Sequence, residues 1–369
     1  WFVCSLPQQT RTGKGEGLIM TSKEQPTEPP GSGQRPVLIA AAKEYTHRQD
    51  LLDCLICRED VGCVLSSQGY SIYNLDIFPA DLADPKHLVQ RINEYQPLCV
   101  FNLFEGFGSE PWLEASFCEI LEKNNLTFTG NPSGALRLCI DKHTLHQQLK
   151  TAGIPVPLSY FLKGKETLGT LENISFPLFI KPCREDGSVG IDKKSLVFNE
   201  EELQESVTEK LAKFPDGILI QEFLSGPEYC VSFVGNGPFS PVGLWTLDYS
   251  RYPECPAYLS YDAKWNENSP EWNLWPEEID LDYSLKETIL HMASRAALVA
   301  GCKGYFRVDL RENQGHLFVM DINPNPALTR DSGMARQYMQ KGKTYEQLVM
   351  KILQLAILNY KKRDDHENN

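Results

Sequence analysis

Four side chains towards the carboxyl end of the sequence could do chemistry together. Arg307 and Asp309 lie two residues apart in one apolar run, and Asp321 and Asn323 lie two apart in the next. Because alternate residues of a strand share a face, two paired strands would put two carboxylates, an amide oxygen and a guanidinium on one surface. Such oxygen ligands suit Mg²⁺ with substrate phosphates, and the guanidinium would neutralise a phosphate or an oxyanion. The alternative is a surface hairpin with an Arg–Asp cross-strand pair.

Two further segments have the residue types of a phosphate and nucleotide site. Lys181 ends a buried apolar run and precedes the small-residue loop 183–190, whose backbone N–H groups could cover phosphates. The apolar run 218–221 leads into a turn that carries Glu228, which suits an adenine edge and a ribose. The loop is not a Walker motif, and no GxGxxG follows a strand. A lysine at a strand end is also common as a solvated charge, so these segments alone do not decide the function.

The elements that must position these residues predict an α/β fold joined to α+β parts. Apolar runs alternate with helical patterns in the first third of the chain, which indicates a parallel sheet covered on both faces. The runs after residue 228 indicate an antiparallel sheet. We predict strands at 37–40, 71–77, 98–103, 126–130, 176–181, 218–221, 229–234, 242–246, 304–310 and 317–323. We predict helices at 48–63, 85–95, 112–124, 141–152, 200–213, 284–300 and 344–361, the last two packed on the antiparallel sheet.

Composition excludes several classes of partner. The chain has 369 residues, enough for two or three domains. Its 36 Lys and Arg against 49 Asp and Glu give a formal net charge of −13, which argues against nucleic acid or an anionic membrane surface. Apolar runs fall far short of the ~20 residues that span a bilayer, so we expect no membrane partner. Segment 1–36, rich in Pro and Gly, is predicted to be disordered, and the charged tail 361–369 to be frayed.

The 11 cysteines do not have the pattern of a disulfide framework. Several lie in apolar runs, where a thiol behaves as a small hydrophobe, so we expect a reducing compartment and a cytoplasmic location. Cys54 and Cys57 have CxxC spacing, which could serve redox chemistry or half of a zinc site. No second CxxC or His pair follows at metal-ligand spacing, so the sequence favours a packing role for both.

The order of the motifs resembles the ATP-grasp superfamily, and within it the D-alanine–D-alanine ligase family. The resemblance covers residues 37–360. Its motifs are Thr129-Gly130-Asn131 with Asp141-Lys142, Ala152–Pro157, Phe176–Pro182 with Gly187–Gly190, Ser225–Glu228, Tyr261–Lys264, Arg307–Asp309 and Asp321–Pro324. The resemblance implies three domains: an N-terminal α/β domain at 37–136, a central lid domain at 137–222 and a catalytic domain at 223–360.

The resemblance also implies a role for each matching residue. ATP would be bound by Lys142, Lys181, Ser188, Gln221, Glu222, Phe223, Leu224 and Glu228. Lys264 would reach the γ-phosphate, and Arg307 would stabilise the oxyanion of an acyl-phosphate adduct. Two Mg²⁺ ions, with Mn²⁺ as an alternative, would be held by Asp309, Asp321 and Asn323. The implied reaction joins a small-molecule carboxylate to an amine with release of ADP, in a homodimer.

The substrate side departs from the family pattern. Gly187 and Trp265 stand where the family has a lid Ser and an active-loop Tyr, and Glu105 stands where it has His. Ser332 matches a substrate-contacting Ser of the family. As alternatives, Ser332 caps a helix and Glu105 caps the helix that begins near residue 110. We therefore predict a divergent ligase with a carboxylate substrate other than D-alanine.

Two changes fall within the ATP and metal set itself. Gln221 replaces a Glu at the adenine position but still offers a carbonyl acceptor. Asp321 replaces a Glu and keeps the ligand type with a shorter side chain. Together with the changes on the substrate side, these leave open an alternative function: a nucleotide-binding protein that has lost catalysis and acts as a regulator or scaffold.

Overall fold

The computed structural model describes residues 35–43, 49–108, 110–164, 171 and 175–367. The first part is an α/β unit built on a parallel sheet of three strands. Its elements in chain order are β1 (Val37–Ala42), α1 (Gln49–Ser67), β2 (Ile72–Ile77), α2 (Pro79–Ala83), α3 (Pro85–Glu94), β3 (Cys99–Asn102), α4 (Leu113–Lys123) and α5 (Ser133–Ile140). β1 lies between β2 and β3, as expected of alternating strands and helices.

The second part is a four-stranded antiparallel sheet with one covering helix. Its elements in chain order are α6 (Lys142–Thr151), β4 (Ser159–Leu162), β5 (Leu178–Pro182), β6 (Leu196–Val197), α7 (Glu200–Lys213) and β7 (Ile218–Glu222). The strand order is β4-β7-β5-β6. Leu203 and Val207 of α7 pack with Ile180 and Ile220 of the sheet. The opposite face of β5 and β7 lines the cavity described below.

The third part is a second four-stranded antiparallel sheet, in the order β11-β10-β8-β9. Its elements are β8 (Glu228–Val234), β9 (Ser240–Leu247), α8 (Tyr261–Trp265), α9 (Tyr283–Val299), β10 (Tyr305–Asn313), β11 (His316–Asn323), α10 (Gly333–Gln340) and α11 (Tyr345–Glu367), with 3₁₀ turns at Tyr249–Arg251 and Pro270–Asn273. Ile289 and Ala293 of α9 pack against Val308 and Ile322. The prediction that α9 covers this sheet is confirmed.

The prediction for the last helix is wrong. Leu348 and Ile352 of α11 pack into the core that contains Ile39 and Phe101 of the parallel sheet, together with α1. The opposite face of that sheet, which includes Leu38, packs against α3 and α4. The apolar stripe of α11 shows that one face is buried, but a stripe does not specify the sheet that buries it.

The predicted strand at 126–130 and both chain ends complete the comparison with the sequence-based expectations. The run 126–130 forms no strand, because only the single bridge between Val100 and Phe128 joins it to the sheet. Residues 361–367 of the tail predicted to be frayed are helical, since α11 continues to Glu367, and the last two residues lie outside the described residues. Most of the N-terminal segment predicted to be disordered, residues 1–34, lies outside the described residues, and Arg35 donates hydrogen bonds to Gln96 and Pro97 carbonyls.

Candidate active site

A cavity of about 130 Å³ lies between the two antiparallel sheets. One wall comes from β5 and β7, and the other from β8, β10 and β11, with α8 and the loop after β5 at its edge. The predicted site residues that line it are Lys181, Ser188, Gln221, Glu222, Phe223, Leu224, Glu228, Lys264, Arg307, Asp309 and Asp321. The fold therefore brings most of the predicted ATP, metal and catalytic residues to one place.

The four side chains predicted to share a surface occupy facing positions of β10 and β11. Arg307 is opposite Asn323, and Asp309 is opposite Asp321. Arg307 donates from Nε and Nη2 to the two oxygens of Asp309, each at 2.8 Å. The hairpin alternative placed such an ion pair across the strands, whereas it forms along β10. Burial, the largest single effect, would raise the pKa of Asp309, but the charge and hydrogen bonds of Arg307, together with the charge of Lys264, lower it.

Lys142 reaches this surface from the first turn of α6. Asp141 caps that helix by accepting the Thr144 N–H at 2.9 Å. The Lys142 Nζ lies 3.0 Å from Asp321 Oδ2 and 3.2 Å from Asp186 Oδ1. Burial disfavours the ammonium charge, yet Asp321 and Asp186 raise the pKa of Lys142. Each of the two facing carboxylates on β10 and β11 thus has a cation beside it.

Two lysines of the cavity have lowered pKa values. Burial lowers the pKa of Lys181 to about 8, and only 6% of this residue is exposed. Burial, followed by the charge of Arg307, also lowers the pKa of Lys264. A buried lysine with a depressed pKa regains its proton most readily beside an anion, so both residues suit a phosphate-bearing ligand.

The loop after β5 has a backbone suited to covering a ligand. Gly187, Ser188 and Gly190 have φ of 62°, 64° and 75°, which is the left-handed region that favours glycine. A Cβ at Gly190 would lie 2.6 Å from the Pro182 Cγ. Ser188 donates its hydroxyl to the Leu259 carbonyl at 2.9 Å. Since that hydroxyl holds the loop to the chain before α8, the backbone of Ser188 is the part suited to a ligand.

Glu228 is held by two donors at the far end of the cavity. Its Oε1 accepts from Tyr249 Oη at 2.9 Å and from Arg311 Nη1 at 3.0 Å. The Arg311 guanidinium also lies 5.1 Å from the centroid of the Phe223 ring, a cation–π distance. Sequence reasoning missed Arg311, although its two-residue spacing from Asp309 was a signal that it shares this face.

The predicted substrate residues are not gathered in this cavity. Glu105 lines a second, smaller one with Cys54, Cys57 and Tyr305. Ser332 is buried and accepts the Ala335 N–H at 3.3 Å, so it caps α10 as its alternative interpretation has it. The other two predicted substrate residues are Gly187, in the loop after β5, and Trp265, the last residue of α8. The side chain of Trp265 lies outside the described part of the structure.

The CxxC pair fits the packing interpretation. Cys54 and Cys57 are buried thiols on α1 that form no disulfide, and they belong to the core that α1 shares with α11. Cys54 Sγ donates to the Leu103 carbonyl at 2.9 Å. Across the described ranges, no group of three or more His, Cys, Asp or Glu could hold a metal ion. A zinc site at this pair therefore has no support from its surroundings.

Glu114 is an acidic residue that sequence reasoning missed. It lies in the first turn of α4, and its Oε1 accepts the Asn325 Nδ2 hydrogen at 2.8 Å. Asn325 also accepts from Tyr305 Oη at 2.6 Å, and its backbone N–H donates to the Asn323 side chain at 2.9 Å. Burial raises the pKa of Glu114 to about 8, despite the Asn325 hydrogen bond that opposes the rise. The turn after β11 is thereby tied to the N-terminal unit.

Replacing Glu114 with Gln is expected to stabilise the protein near pH 7.5. Above its usual pKa of 4.5, the unfolded state has lost a proton that the folded state keeps until about pH 8, so stability falls with rising pH over that window. Glu114→Gln removes this loss and keeps an oxygen for Asn325. We expect a gain on the order of 1 to 3 kcal/mol at pH 7.5 and none near pH 4.5, measured by urea unfolding at both values.

Glu119→Gln, on the same helix, is the control, because Lys123 and Arg137 lower the pKa of Glu119. It is expected to give no gain at pH 7.5. An equal gain from Glu114→Gln at both pH values would contradict a burial-raised pKa.

A protein-family model matches the part of the chain that contains the two antiparallel sheets and the cavity between them. The model described as "D-ala D-ala ligase C-terminus" matches residues 149–354, more than half of the sequence. The chain belongs to the D-alanine–D-alanine ligase family. This confirms the expected ATP-grasp fold class and assigns the chain to a family of ATP-dependent, ADP-forming ligases.

Curated relatives match nearly their whole length. The D-alanine–D-alanine ligase of Marinomonas sp. (strain MWYL1) is 31% identical over 298 residues, which is 79% of this chain and 87% of the relative. The enzyme of the same name from Haemophilus influenzae (strain PittEE) is 29% identical over 304 residues, 79% of this chain and 92% of the relative. The similarity therefore extends across the N-terminal unit as well.

Solved structures share the fold. The D-alanine–D-alanine ligase of Bacillus anthracis complexed with ATP has a TM-score of 0.71 at 17% identity and covers 89% of this chain and 100% of that one. The ligase of Coxiella burnetii has a TM-score of 0.66 at 17% identity, covering 91% and 98%. None of the helices within the described residues is long and apolar enough to cross a membrane.

Proposed function

We propose that this family member joins a small-molecule carboxylate to an amine through an acyl phosphate, and that its carboxylate substrate is not D-alanine. The observation that carries the proposal is the single cavity in which Lys181, Lys264, Arg307 and Asp309 meet the strand end at 221–224. Cations, oxygen ligands and a strand edge for a base are the groups that ATP-dependent phosphoryl transfer needs.

The nucleotide would lie between the two antiparallel sheets. The base would lie against Gln221 and the backbone of residues 222–224, and the ribose against Glu228, which Arg311 and Tyr249 hold in place. Phosphates would extend towards the lysines Lys142, Lys181 and Lys264 and under the loop with Ser188. The protein acts here by positioning and by neutralising charge.

The oxygen ligands on β10 and β11 fit Mg²⁺, and Mn²⁺ as an alternative. Asp309 and Asp321 face each other, with Asn323 on the same surface, and hard cations of this kind take carboxylate and amide oxygens together with phosphate oxygens. Two such ions would supply charge neutralisation for the transferred phosphoryl group. Because Arg307 and Lys142 already lie beside the carboxylates, this chain keeps both ligand charges compensated.

Arg307 and Lys264 would act on the reacting atoms. Lys264 would hold the γ-phosphate while the substrate carboxylate attacks it and ADP departs. The amine would then attack the acyl carbon, and the guanidinium of Arg307 would stabilise the oxyanion that develops before phosphate leaves. Because Asp309 accepts two hydrogen bonds from Arg307, the plane of the guanidinium is fixed. The remaining N–H groups of Arg307 therefore have a defined direction.

The substrate proposal rests on the departures from the family pattern. Gly187 offers no hydroxyl where the family has Ser, and the neighbouring Ser188 hydroxyl is turned to the Leu259 carbonyl. Trp265 replaces a Tyr, and Glu105 places a carboxylate in the second cavity where the family has His. We therefore propose that these three positions select a carboxylate substrate other than D-alanine.

The test is ADP release with Mg²⁺, screened over pairs of amino acids and short peptides with D-alanine included. We expect turnover with a pair other than two molecules of D-alanine, and its loss in the Asp309→Ala variant. Turnover restricted to D-alanine would refute the substrate proposal alone. If Asp309→Ala turned over as fast as the unaltered protein, the ligase mechanism would be refuted.

The alternative function is a nucleotide-binding regulator or scaffold without catalysis. It is favoured by one observation: Arg307 occupies both oxygens of Asp309, and Lys142 occupies Asp321, so the ligand charges are already satisfied within the protein. Tight ATP binding with no turnover on any substrate pair would support this alternative over the ligase.

ATP affinity is expected to fall as the pH rises above 8. Lys181 is mostly charged below its pKa of about 8 and mostly neutral above it, whereas bound phosphates favour the charged form. The Kd for ATP with Mg²⁺ should therefore be flat below pH 7.5 and rise up to about tenfold per pH unit above 8. Calorimetric titration from pH 7 to 9.5 measures this.

Lys181→Arg is the matched variant, because a guanidinium stays protonated over this range. It should flatten the profile. A steep profile that persists in Lys181→Arg would assign the pH dependence to another group.

The remaining expectations stay predictions. They are the boundaries 37–136, 137–222 and 223–360 of the three domains, a homodimer, and a cytoplasmic location.

A further inference from the structure

Gln221 is a buried amide with one end unused. It lies on β7 with 1% exposure, lines the candidate nucleotide cavity and pairs across the sheet with Phe179. Its Nε2 lies 3.4 Å from His146 Nδ1. Its Oε1 is buried and, within the part of the chain that the structure describes, has no hydrogen-bond partner. An unpaired buried acceptor is costly, so this oxygen is arranged for a donor that a ligand brings.

His146 determines which end of the amide is unused. This residue of α6 is 4% exposed, and its Nε2 lies 3.0 Å from the Met320 carbonyl on β11. A carbonyl only accepts, so Nε2 carries the ring proton, and in a neutral ring Nδ1 is then an acceptor. Burial lowers the pKa of His146 to about 4, which keeps the ring neutral at neutral pH. Nδ1 therefore accepts a hydrogen bond from the amide N–H₂ of Gln221.

We propose that His146 is a positioning residue that sets the nucleobase preference of the site by fixing the Gln221 oxygen as the end available to the base. The inference rests on the proposed function, which places a nucleobase against residues 221–224. The oxygen accepts a hydrogen bond from the exocyclic amino group of adenine. It opposes the 6-oxo group of hypoxanthine, which has the same ring size but brings an acceptor to the same place.

The two ends of a primary amide are nearly equal in size, so sterics alone do not choose between them. Without the acceptor at His146 Nδ1, Gln221 could turn over and present its N–H₂ to a 6-oxo base. Leaving a buried polar group unpaired typically costs 1 to 3 kcal/mol, which corresponds to a preference for ATP over inosine triphosphate of about 5- to 150-fold.

The experiment measures the ratio of the two dissociation constants. The full chain with Mg²⁺ is titrated calorimetrically with ATP and with inosine triphosphate, in the absence of other substrates. We expect a ratio of about 5- to 150-fold in the unaltered protein and a ratio within about threefold of unity in His146→Leu. His143→Leu, on the same helix and outside the cavity, should keep the original ratio.

A double variant tests the amide orientation directly. Gln221→Glu carries an oxygen at both ends, so turning over has no consequence. His146→Leu combined with Gln221→Glu should therefore recover the preference for ATP. If His146→Leu fails to fold, Gln221→Leu serves in its place, since it removes the acceptor itself and should also bring the ratio close to unity.

The outcomes separate this inference from the proposed function. A ratio near unity in the unaltered protein, or equal weakening of both nucleotides in His146→Leu with the ratio kept, would overturn the role of His146 while leaving ATP binding intact. Failure of ATP to bind the unaltered protein would overturn the proposed function, and the inference with it.

Discussion

Replacing Arg307 with Met is expected to lower turnover by about 10²- to 10³-fold with a much smaller change in the Kd for ATP. In the proposed mechanism the guanidinium stabilises charge that develops on the oxygen of the acyl carbon, and removal of one such donor in other enzymes has an effect of this size. ATP, in contrast, would be held mainly by Lys142, Lys181 and Lys264 in the proposed site. Steady-state ADP release and calorimetric titration of ATP separate the two effects.

The same change leaves Asp309 without its cation, which can destabilise the fold by about 3 to 5 kcal/mol. Arg307→Lys is therefore measured beside it: a charge remains, but the two parallel hydrogen bonds to Asp309 are lost. We expect intermediate turnover. Arg137→Met, which breaks an exposed pair with Glu119, controls for the loss of an arginine. Equal losses of ATP affinity and turnover would place Arg307 in nucleotide binding instead of oxyanion stabilisation.

The shared surface of the β10–β11 hairpin could be predicted from the sequence because a strand has a period of two. Arg307 and Asp309 on one strand, with Asp321 and Asn323 on the next, share a face whenever the two strands pair. The structure confirms that face. What alternation could not supply is the ion pairing, since an Arg has similar reach to a residue two positions along its strand and to one across from it.

The other features that the sequence did not predict are contacts between segments far apart in the chain. The ion pair of Lys142 with Asp321, and the hydrogen bond of His146 to the Met320 carbonyl, both join α6 to β11. They depend on how α6 packs against the third sheet, which no local pattern encodes. The same reason explains why α11 was predicted on the antiparallel sheet but packs beside α1.

Charge compensation links the site to the choice between its two candidate functions. Two carboxylates facing each other across a sheet would repel strongly at low dielectric, and Arg307 and Lys142 relieve this before any ligand arrives. A site arranged this way can stay folded without metal. Phosphates of a ligand would draw Arg307 and Lys142 away from the two carboxylates, which favours a metal ion that arrives with ATP.

Substitutions at Asp321 test whether the site needs the charge of this carboxylate, because Asn removes the charge and Glu keeps it. Asp321→Asn keeps the size of the side chain but removes the charge of a proposed metal ligand and one of the two carboxylate partners of Lys142. We expect turnover to fall by about 10²-fold or more, since neutralisation by a bound metal is worth several kcal/mol. We also expect half-saturation with Mg²⁺ to move to a higher concentration.

Asp321→Glu is the matched variant because it restores the residue usual in the family and keeps the charge. It should stay within about tenfold of the unaltered protein in turnover, with Mg²⁺ half-saturation unchanged or lower, since a longer carboxylate can reach the ion without drawing it towards β11. The Mg²⁺ dependence of ADP release gives both quantities. If Asp321→Asn and Asp321→Glu behaved alike, charge at this position would not matter, and the metal assignment of the β10–β11 surface would be wrong.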